Sequence, residues 1–288
     1  MNQKIGILGG GFGLYGYLPA FVNLDYSIFT LSKYQKFIES REDLEKYYEN
    51  INFLSSEDEI YNEVNLLCFA KNPESQYNFL QSKESYKFEH LYLEKPLAHK
   101  LNEFENCIKK LKEDNQSISV FYSLSYLGWY KETIEKILSG SNQLIEIFWK
   151  INRNTNENSS WKNDKNKGGG FLNYYAIHFI KMFYKSNLKI ENVKSKNDFL
   201  LISLNDQNLN TLKVEISSSE ESSFKIYEES KLKIESDNPF LRKIIPGKPD
   251  PRIGLLEKYI VSNKEDKINT EEKVLKWLKL LNESILDD

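Results

Sequence analysis

Ile5-Gly6-Ile7-Leu8-Gly9-Gly10-Gly11-Phe12-Gly13-Leu14-Tyr15-Gly16 is the stretch whose reading decides the fold. Its first four residues form a short apolar run, the pattern of a strand buried on both faces, and they deliver the chain into glycines. Leu18, Ala20 and Phe21 then predict a helix. Strand, glycine turn and helix N-terminus together make an anion site: glycines let the backbone approach a pyrophosphate, and unpaired helix N–H groups point at it. Counted from the strand end, Gly9 and Gly11 occupy the first two places of the dinucleotide fingerprint and Leu14 the third. Shifted by two, Gly11, Gly13 and Gly16 complete G-x-G-x-x-G. Gly9, Gly11, Phe12, Gly13 and Leu14 are therefore candidate cofactor-binding residues.

Outward from this turn, Tyr26 to Leu31 reads as a second strand. Domains that take NAD often carry an acid about 20 residues after the glycines to hold the ribose 2′-hydroxyl. Ser32-Lys33 stands there instead, and a hydroxyl with a cation suits a 2′-phosphate, so the sequence leans towards NADP over NAD. The alternative is that Lys33 is an ordinary solvated lysine. Ile51 to Leu54 and Val64 to Ala70 supply two more strands, the latter followed by Lys71-Asn72-Pro73-Glu74, a strand-to-helix turn with proline near the helix start. Ala70, Asn72 and Pro73 face the same crevice as the glycines and join the cofactor-binding candidates. After a helix from Gln76 to Ser82, a fifth strand, Leu91 to Glu94, stops at Pro96, which cannot donate a ladder hydrogen bond. That leaves Glu94 and Lys95 at a strand's carboxyl end, where open parallel sheets bind ligands. An amphipathic helix over Asn102 to Glu113, with Phe104, Ile108 and Leu111 inward, and a sixth strand, Ile118 to Tyr122, complete an alternation that implies a doubly wound parallel sheet over residues 1–122.

From residue 123 the rhythm changes. A helix, Tyr130 to Leu138, leads to a half-exposed strand, Leu144 to Asn152. An asparagine-rich stretch follows to Lys167, then Gly168-Gly169-Gly170 and an aromatic helix candidate, Phe171 to Tyr184. Phe199 to Leu204, Thr211 to Ile216 and Ser223 to Tyr227 alternate as antiparallel strands do, and the chain ends in a helix around Glu271 to Ile285. Residues 123–288 thus read as a second, α+β domain, without repeats.

A formal net charge of -3 argues against a general electrostatic nucleic-acid binder. Two cysteines, Cys68 and Cys107, are too few for a disulfide framework or a cysteine zinc site, so no metal is expected. The N-terminal residues pass directly into a strand pattern without a signal-peptide h-region, and no run approaches the roughly 18 apolar residues of a membrane helix. The expectation is a cytoplasmic protein.

Three features stand in order: the glycine turn, Glu94-Lys95-Pro96, and Trp161-Lys162 followed by Gly168-Gly169-Gly170 and His178. Together they resemble the glucose-fructose oxidoreductase, inositol dehydrogenase and rhizopine catabolism (Gfo/Idh/MocA) family over nearly the whole chain. The resemblance implies an N-terminal Rossmann domain for NAD or NADP, and a C-terminal α+β domain whose large, mostly antiparallel open sheet builds a homodimer or homotetramer. It further implies hydride transfer at a sugar, polyol or sugar-derivative carbon, with Lys95 as the family lysine and His178 as the family histidine. The aspartate usual four residues before that histidine is Tyr174, the glycine two before it is Ala176, and an arginine usual early in the second domain is absent from Ser123-Leu124-Ser125-Tyr126.

The residues carry a chemistry of their own. Hydride transfer at an alcohol carbon requires a proton to leave or reach the oxygen, which the cofactor does not supply. Lys95 and His178 are the candidates to relay or orient it; Tyr174, whose phenol can act as acid or base, is the third. Trp161 and Tyr174 are candidates to stack on a sugar face or to fill the domain junction, Asn173 to hydrogen-bond a polyol, and the asparagine-rich stretch to form a substrate loop. The reading is an NAD(P)-dependent oxidoreductase of a sugar or sugar derivative, including a nucleotide-linked one of surface-polysaccharide synthesis. The alternatives are an imine or linear-tetrapyrrole reductase on the same fold and a non-catalytic nucleotide sensor.

Overall fold

The computed structural model describes residues 3–140, 142–152, 161–243, 245, 247–262 and 267–285. The asparagine-rich loop expected over residues 152–167 therefore falls in part outside the described residues. The chain forms two compact units, Met1–Phe121 with Ile244–Glu271, and Tyr122–Lys243 with Glu272–Asp288.

In the first unit six short apolar strands pair in parallel. They are β1 (Lys4–Leu8), β2 (Ser27–Leu31), β3 (Ile51–Leu54), β4 (Leu66–Phe69), β5 (His90–Leu93) and β6 (Ile118–Val120). Their order, β3-β2-β1-β4-β5-β6, is that of a doubly wound dinucleotide domain, with the direction of winding reversing between β1 and β4. Ile5, Ile7, Leu67, Cys68, Leu91 and Leu93 are wholly buried, as strands covered on both faces require. The crossovers carry α1 (Leu18–Asn23), α2 (Gln35–Glu39), α3 (Glu42–Glu45), α4 (Glu57–Glu63), α5 (Pro73–Gln81) and α6 (Leu101–Glu113). Each starts or faces the core for a readable reason. Asn72 caps α5 by accepting from the Ser75 amide at 2.9 Å, with Pro73 in the first turn. On α6, Phe104, Cys107, Ile108 and Leu111 make the buried i, i+3, i+4, i+7 stripe.

The stretch Ile244–Glu271, placed by the sequence reading in the second domain, belongs to the first unit. Its helix α9 (Ile253–Val261) packs on α1: Leu256 and Tyr259 are buried, the Tyr259 ring lies 5.2 Å from Phe121, and Asn23 Nδ2 donates to Glu257 Oε1 at 2.6 Å. Periodicity shows that a helix has an apolar face but not which sheet that face covers, so sequence order misplaced it.

The second unit holds helices α7 (Gly128–Ser139) and α8 (Ile180–Lys185) and a sheet in the order β12-β11-β7-β10-β9-β8. Its strands are β7 (Leu144–Asn152), β8 (Lys189–Lys196), β9 (Phe199–Asn205), β10 (Thr211–Ser219), β11 (Ser223–Glu228) and β12 (Lys231–Ser236). All pairs are antiparallel except β7 with β10. Ile147, Ile202, Leu204, Val214, Ile216 and Phe224 bury one face completely, while of the residues that alternate with them Phe148, Lys213, Glu215 and Lys225 stay partly exposed and Ser203 is buried. The edge strands β8 and β12 are lysine-rich, which blunts edge pairing and also hides them from an alternation test. The last helix, α10 (Lys267–Glu283), sets Trp277 5.7 Å from Phe183. No helix among the described residues is long and apolar enough to cross a membrane.

Candidate active site

The carboxyl ends of β1, β2, β4 and β5 lie along one edge of the parallel sheet, and every candidate of the first unit is found there. At the end of β1, Gly9 has φ +142°, and a Cβ on it would fall 2.1 Å from the Ala70 carbonyl oxygen. Ala70 in turn donates its amide to Leu8 O at 2.7 Å, so the ends of β1 and β4 are closed tightly on each other. A Cβ on Gly13 would meet the Ala70 methyl at 3.1 Å, whereas one on Gly11 would meet nothing within 4 Å. Gly11 thus offers bare backbone to whatever approaches the turn. The Leu14 amide donates to Gly11 O at 2.9 Å and its side chain is wholly buried, so Leu14 holds the turn from inside. The helix that follows opens as a π turn, Gly13–Tyr17. Gly16 leaves room for the Phe12 ring, whose nearest atom would stand 2.2 Å from a Cβ there.

At the end of β2 the Ser32 hydroxyl donates to Leu54 O at 3.0 Å, and Lys33 lies exposed with Nζ 5.2 Å from the Tyr34 ring centroid. Tyr34 stands against Gly10, its Cε1 3.1 Å from where a Cβ would be. Burial first, and the Glu57 carboxylate second, push its phenol above the ordinary range, while the Gly9 backbone opposes the shift. At the end of β4 the Asn72 carbonyl oxygen is engaged by the cap of α5 and Pro73 is buried.

The end of β5 is the most constrained part of the edge. The Lys95–Pro96 bond is cis. Gln76 of α5, wholly buried, accepts from the Glu94 amide at 2.9 Å and donates Nε2 towards Glu94 O (2.8 Å), Leu97 O (3.1 Å) and Pro96 O (3.2 Å). One amide side chain thereby holds both arms of the Glu94-Lys95-Pro96 turn, leaving Lys95 only 8% exposed. Glu94 is half-buried beside it, with its Oε1 shielded from solvent. Desolvation raises its carboxyl above the usual range, opposed first by Lys95, then by Arg252 and by the Tyr17 hydroxyl.

In the second unit, Trp161, Asn173, Tyr174 and His178 share one short region. The chain after Trp161–Asn163 folds back so tightly that a Cβ on Gly169 would fall 2.2 Å from Trp161 O. Gly168 and Gly170 take φ +81°, and the Gly169 amide donates to Asp164 O at 2.9 Å. The triple glycine is thus required by backbone approaching backbone. The single helix expected from Phe171 to Tyr184 is instead a π turn (Phe171–Tyr175), a 3-10 turn (Ala176–His178) and α8. No side chain caps its start, and its aromatics pack in different directions. Tyr174 meets Trp161 edge-on at 5.5 Å and Tyr175 at 4.8 Å, and Tyr175 meets Trp149 at 5.4 Å. Tyr130 donates its hydroxyl to His178 O at 3.1 Å, and His178, Tyr174 and Asn173 are all half-buried.

His90 and His99 are half-buried and engaged by neighbours: both His90 ring nitrogens reach serines, Ser117 at 2.7 Å and Ser119 at 2.6 Å, and His99 Nδ1 lies 2.8 Å from Glu103. Among the described residues no group of three or more His, Cys, Asp or Glu side chains could hold a metal ion. Gln76, Tyr34 and Arg252 were not visible as site residues in the sequence. Gln76 alone left a signal, as a polar residue on the buried face of α5 between Pro73 and Phe79.

No protein-family model and no curated protein matches the chain. Solved structures do. The WlbA (WbpB) dehydrogenase of Thermus thermophilus, in complex with NAD and UDP-GlcNAcA, superposes with a TM-score of 0.70 at 12% identity, over 98% of this chain and 94% of its own. A probable dehydrogenase of Thermotoga maritima gives 0.70 at 13% identity, over 99% and 97%. A myo-inositol dehydrogenase of Corynebacterium glutamicum gives 0.66 at 13%, again over 99% and 97%. From one end to the other, the chain has the fold of the Gfo/Idh/MocA-type dehydrogenases.

Proposed function

We propose that the chain is a nicotinamide-dependent oxidoreductase of the Gfo/Idh/MocA family, acting on a sugar or sugar derivative. The observation that carries this reading is the glycine turn at the switch point of a 3-2-1-4-5-6 sheet: Gly9 and Gly13 closed on Ala70, Gly11 open, and Lys95 on the same strand edge. These residues fit a dinucleotide. The amides around Gly11 and the helix behind them suit the pyrophosphate, and Ala70, Asn72 and Pro73 border it across the switch point. When bound, the nicotinamide supplies the hydride donor or acceptor. Lys95, held by the Gln76 clamp, is the group that polarises the substrate oxygen or passes its proton, and His178 and Tyr174 are the acid–base candidates of the second unit.

Lys33 favours the 2′-phosphate of NADP through its charge; the Ser32 hydroxyl already donates to Leu54 O, so Lys33 carries the preference. Titration with NADPH and NADH decides it: tighter NADPH binding is expected, and equal or stronger NADH binding removes the argument. Lys95→Ala should lower turnover by orders of magnitude with cofactor affinity largely intact; full activity in this variant refutes the assigned role. The UDP-GlcNAcA carried by the WlbA structure makes nucleotide-linked sugars the first substrates to test. The outer sheet face, where Phe148 and Tyr227 meet ring to ring at 5.6 Å amid Glu146, Lys150 and Lys225, supports a homodimer or homotetramer, measurable by light scattering. The departure at Tyr174 keeps the sensor reading as a second one: saturable cofactor binding without turnover on any sugar or imine would favour it.

A further inference from the structure

Arg252 reaches the glycine turn from the stretch that returns to the first unit. It is anchored by Asp250, whose Oδ1 accepts from the Arg252 amide at 2.8 Å and from Nε at 2.9 Å, and whose Oδ2 accepts from the guanidinium at 2.7 Å. The Asp250 side chain is 7% exposed and that of Arg252 23%. So fixed, the guanidinium lies 4.1 Å from the centroid of the Phe12 ring, which itself stacks on Phe121 and meets Tyr17 and Tyr15 edge-on. Its charge also opposes, second to that of Lys95, the desolvation of the Glu94 carboxyl, whose Oε1 is shielded from solvent.

A carboxylate shielded from water requires a counter-charge to offset its lost hydration. Lys95 cannot be the sole one if it changes protonation during a reaction; an arginine, which does not deprotonate in proteins, can be a permanent one. We propose that Arg252 is a positioning residue of the cofactor site, stacking on Phe12 to fix the glycine turn and serving as the permanent counter-charge of Glu94 while Lys95 exchanges its proton. This rests on the oxidoreductase reading above. The other titratable groups facing Glu94 are Tyr17 and Cys68, both held protonated by burial, and Tyr259 faces Tyr17 from α9.

The test is a double-mutant cycle of Arg252→Gln and Glu94→Gln, with Arg252→Lys as the conservative control, read by thermal denaturation at pH 5 and pH 8 and by NADPH titration. Glu94 has a folded pKa above its unfolded one, so its stability contribution falls as pH rises through the folded value. Removing Arg252 raises that value further, so the loss of Tm in R252Q should be larger at pH 8, where more of the Glu94 population is ionised, than at pH 5. In the E94Q background the excess should vanish. Asp250, which also loses its partner, contributes alike in both backgrounds and cancels. R252K should recover most of the pH-dependent part, and R252Q should weaken NADPH binding about tenfold or more. A Tm loss independent of pH and unchanged by E94Q, or an unaltered NADPH affinity, overturns the proposal. If wild-type protein binds neither NADPH nor NADH, the oxidoreductase reading fails alone, and the denaturation cycle still decides the pairing of Arg252 with Glu94.

Discussion

Gly11→Ala separates folding from binding, because the structure assigns opposite signs to the two. A Cβ at position 11 meets nothing within 4 Å, and Gly11 is not among the glycines with positive φ. Alanine there strains nothing and restricts the unfolded chain, which stabilises a protein by about 0.4–1 kcal/mol, or roughly 1–4 °C in Tm for a chain of this size. The same methyl occupies the open face of the turn, where the proposed function requires a pyrophosphate to come within hydrogen-bonding distance of the backbone. Losing one bond from a backbone N–H to a charged oxygen costs about 1.5–3 kcal/mol, equivalent to roughly 10- to 150-fold in Kd. Differential scanning fluorimetry of the cofactor-free protein, alongside fluorescence titration with NADPH and NADH, measures both. A variant that binds within threefold of wild type refutes Gly11 as the point of approach, and one that melts several degrees lower refutes the open geometry.

Gly9→Ala should fail for the reason Gly11→Ala succeeds: a methyl 2.1 Å from the Ala70 carbonyl, at φ +142°, forces backbone from backbone, so soluble expression is lost or Tm falls by about 10 °C or more. Gln76→Ala removes the only side-chain bridge described between the Glu94 amide and the carbonyls of Glu94, Pro96 and Leu97. A loss of about 2–5 kcal/mol in urea unfolding is expected, with kcat reduced more than cofactor affinity; a change below about 1 kcal/mol would show that the clamp is dispensable. Burial pushes the Cys107 thiol up to about 12 and holds that of Cys68 well above the ordinary thiol range. Native protein at pH 8 should therefore leave Ellman's reagent unreacted, while denatured protein releases two equivalents; rapid labelling of the native state contradicts the burial of both.

Much of the first unit was legible because its signals are local. β1, β4 and β5 are apolar runs closed by a breaker, and the turns after them carry glycine, Asn72-Pro73 and Pro96, whose conformational preferences need no tertiary context. What escaped was non-local. Gln76 becomes a clamp only because α5 lies beside the end of β5, and Arg252 only because α9 returns to α1. The aromatic segment after Gly170 failed differently. Its composition favours a helix, but the turn imposed by the Gly169 contact with Trp161 O sets the start, and packing of Tyr174 and Tyr175 against Trp161 and Trp149 selects a π turn over a regular one.

The glycine turn also resolves the two registers in which its fingerprint can be read. In such turns the first glycine makes the tight bend, the second admits the pyrophosphate, and the third lets helix pack closely on strand. Gly9, with its positive φ against Ala70, does the first; Gly11, open on its exposed side, fits the second. The geometry therefore fits the register that begins at Gly9, although Leu14 stands in its third place. The close packing is made one residue earlier, by Gly13 against Ala70 and Ile7. That shift coincides with the π turn Gly13–Tyr17, whose wider winding takes up an extra residue and leaves the Leu14 side chain free to point into the core. Gly16, the last glycine of the rival register, is accounted for by Phe12, whose ring needs the space that a side chain at position 16 would fill. The ring so accommodated is the one on which Arg252 rests, and it stacks on Phe121 just after β6, so the glycine at position 16 is explained by the seating of that aromatic.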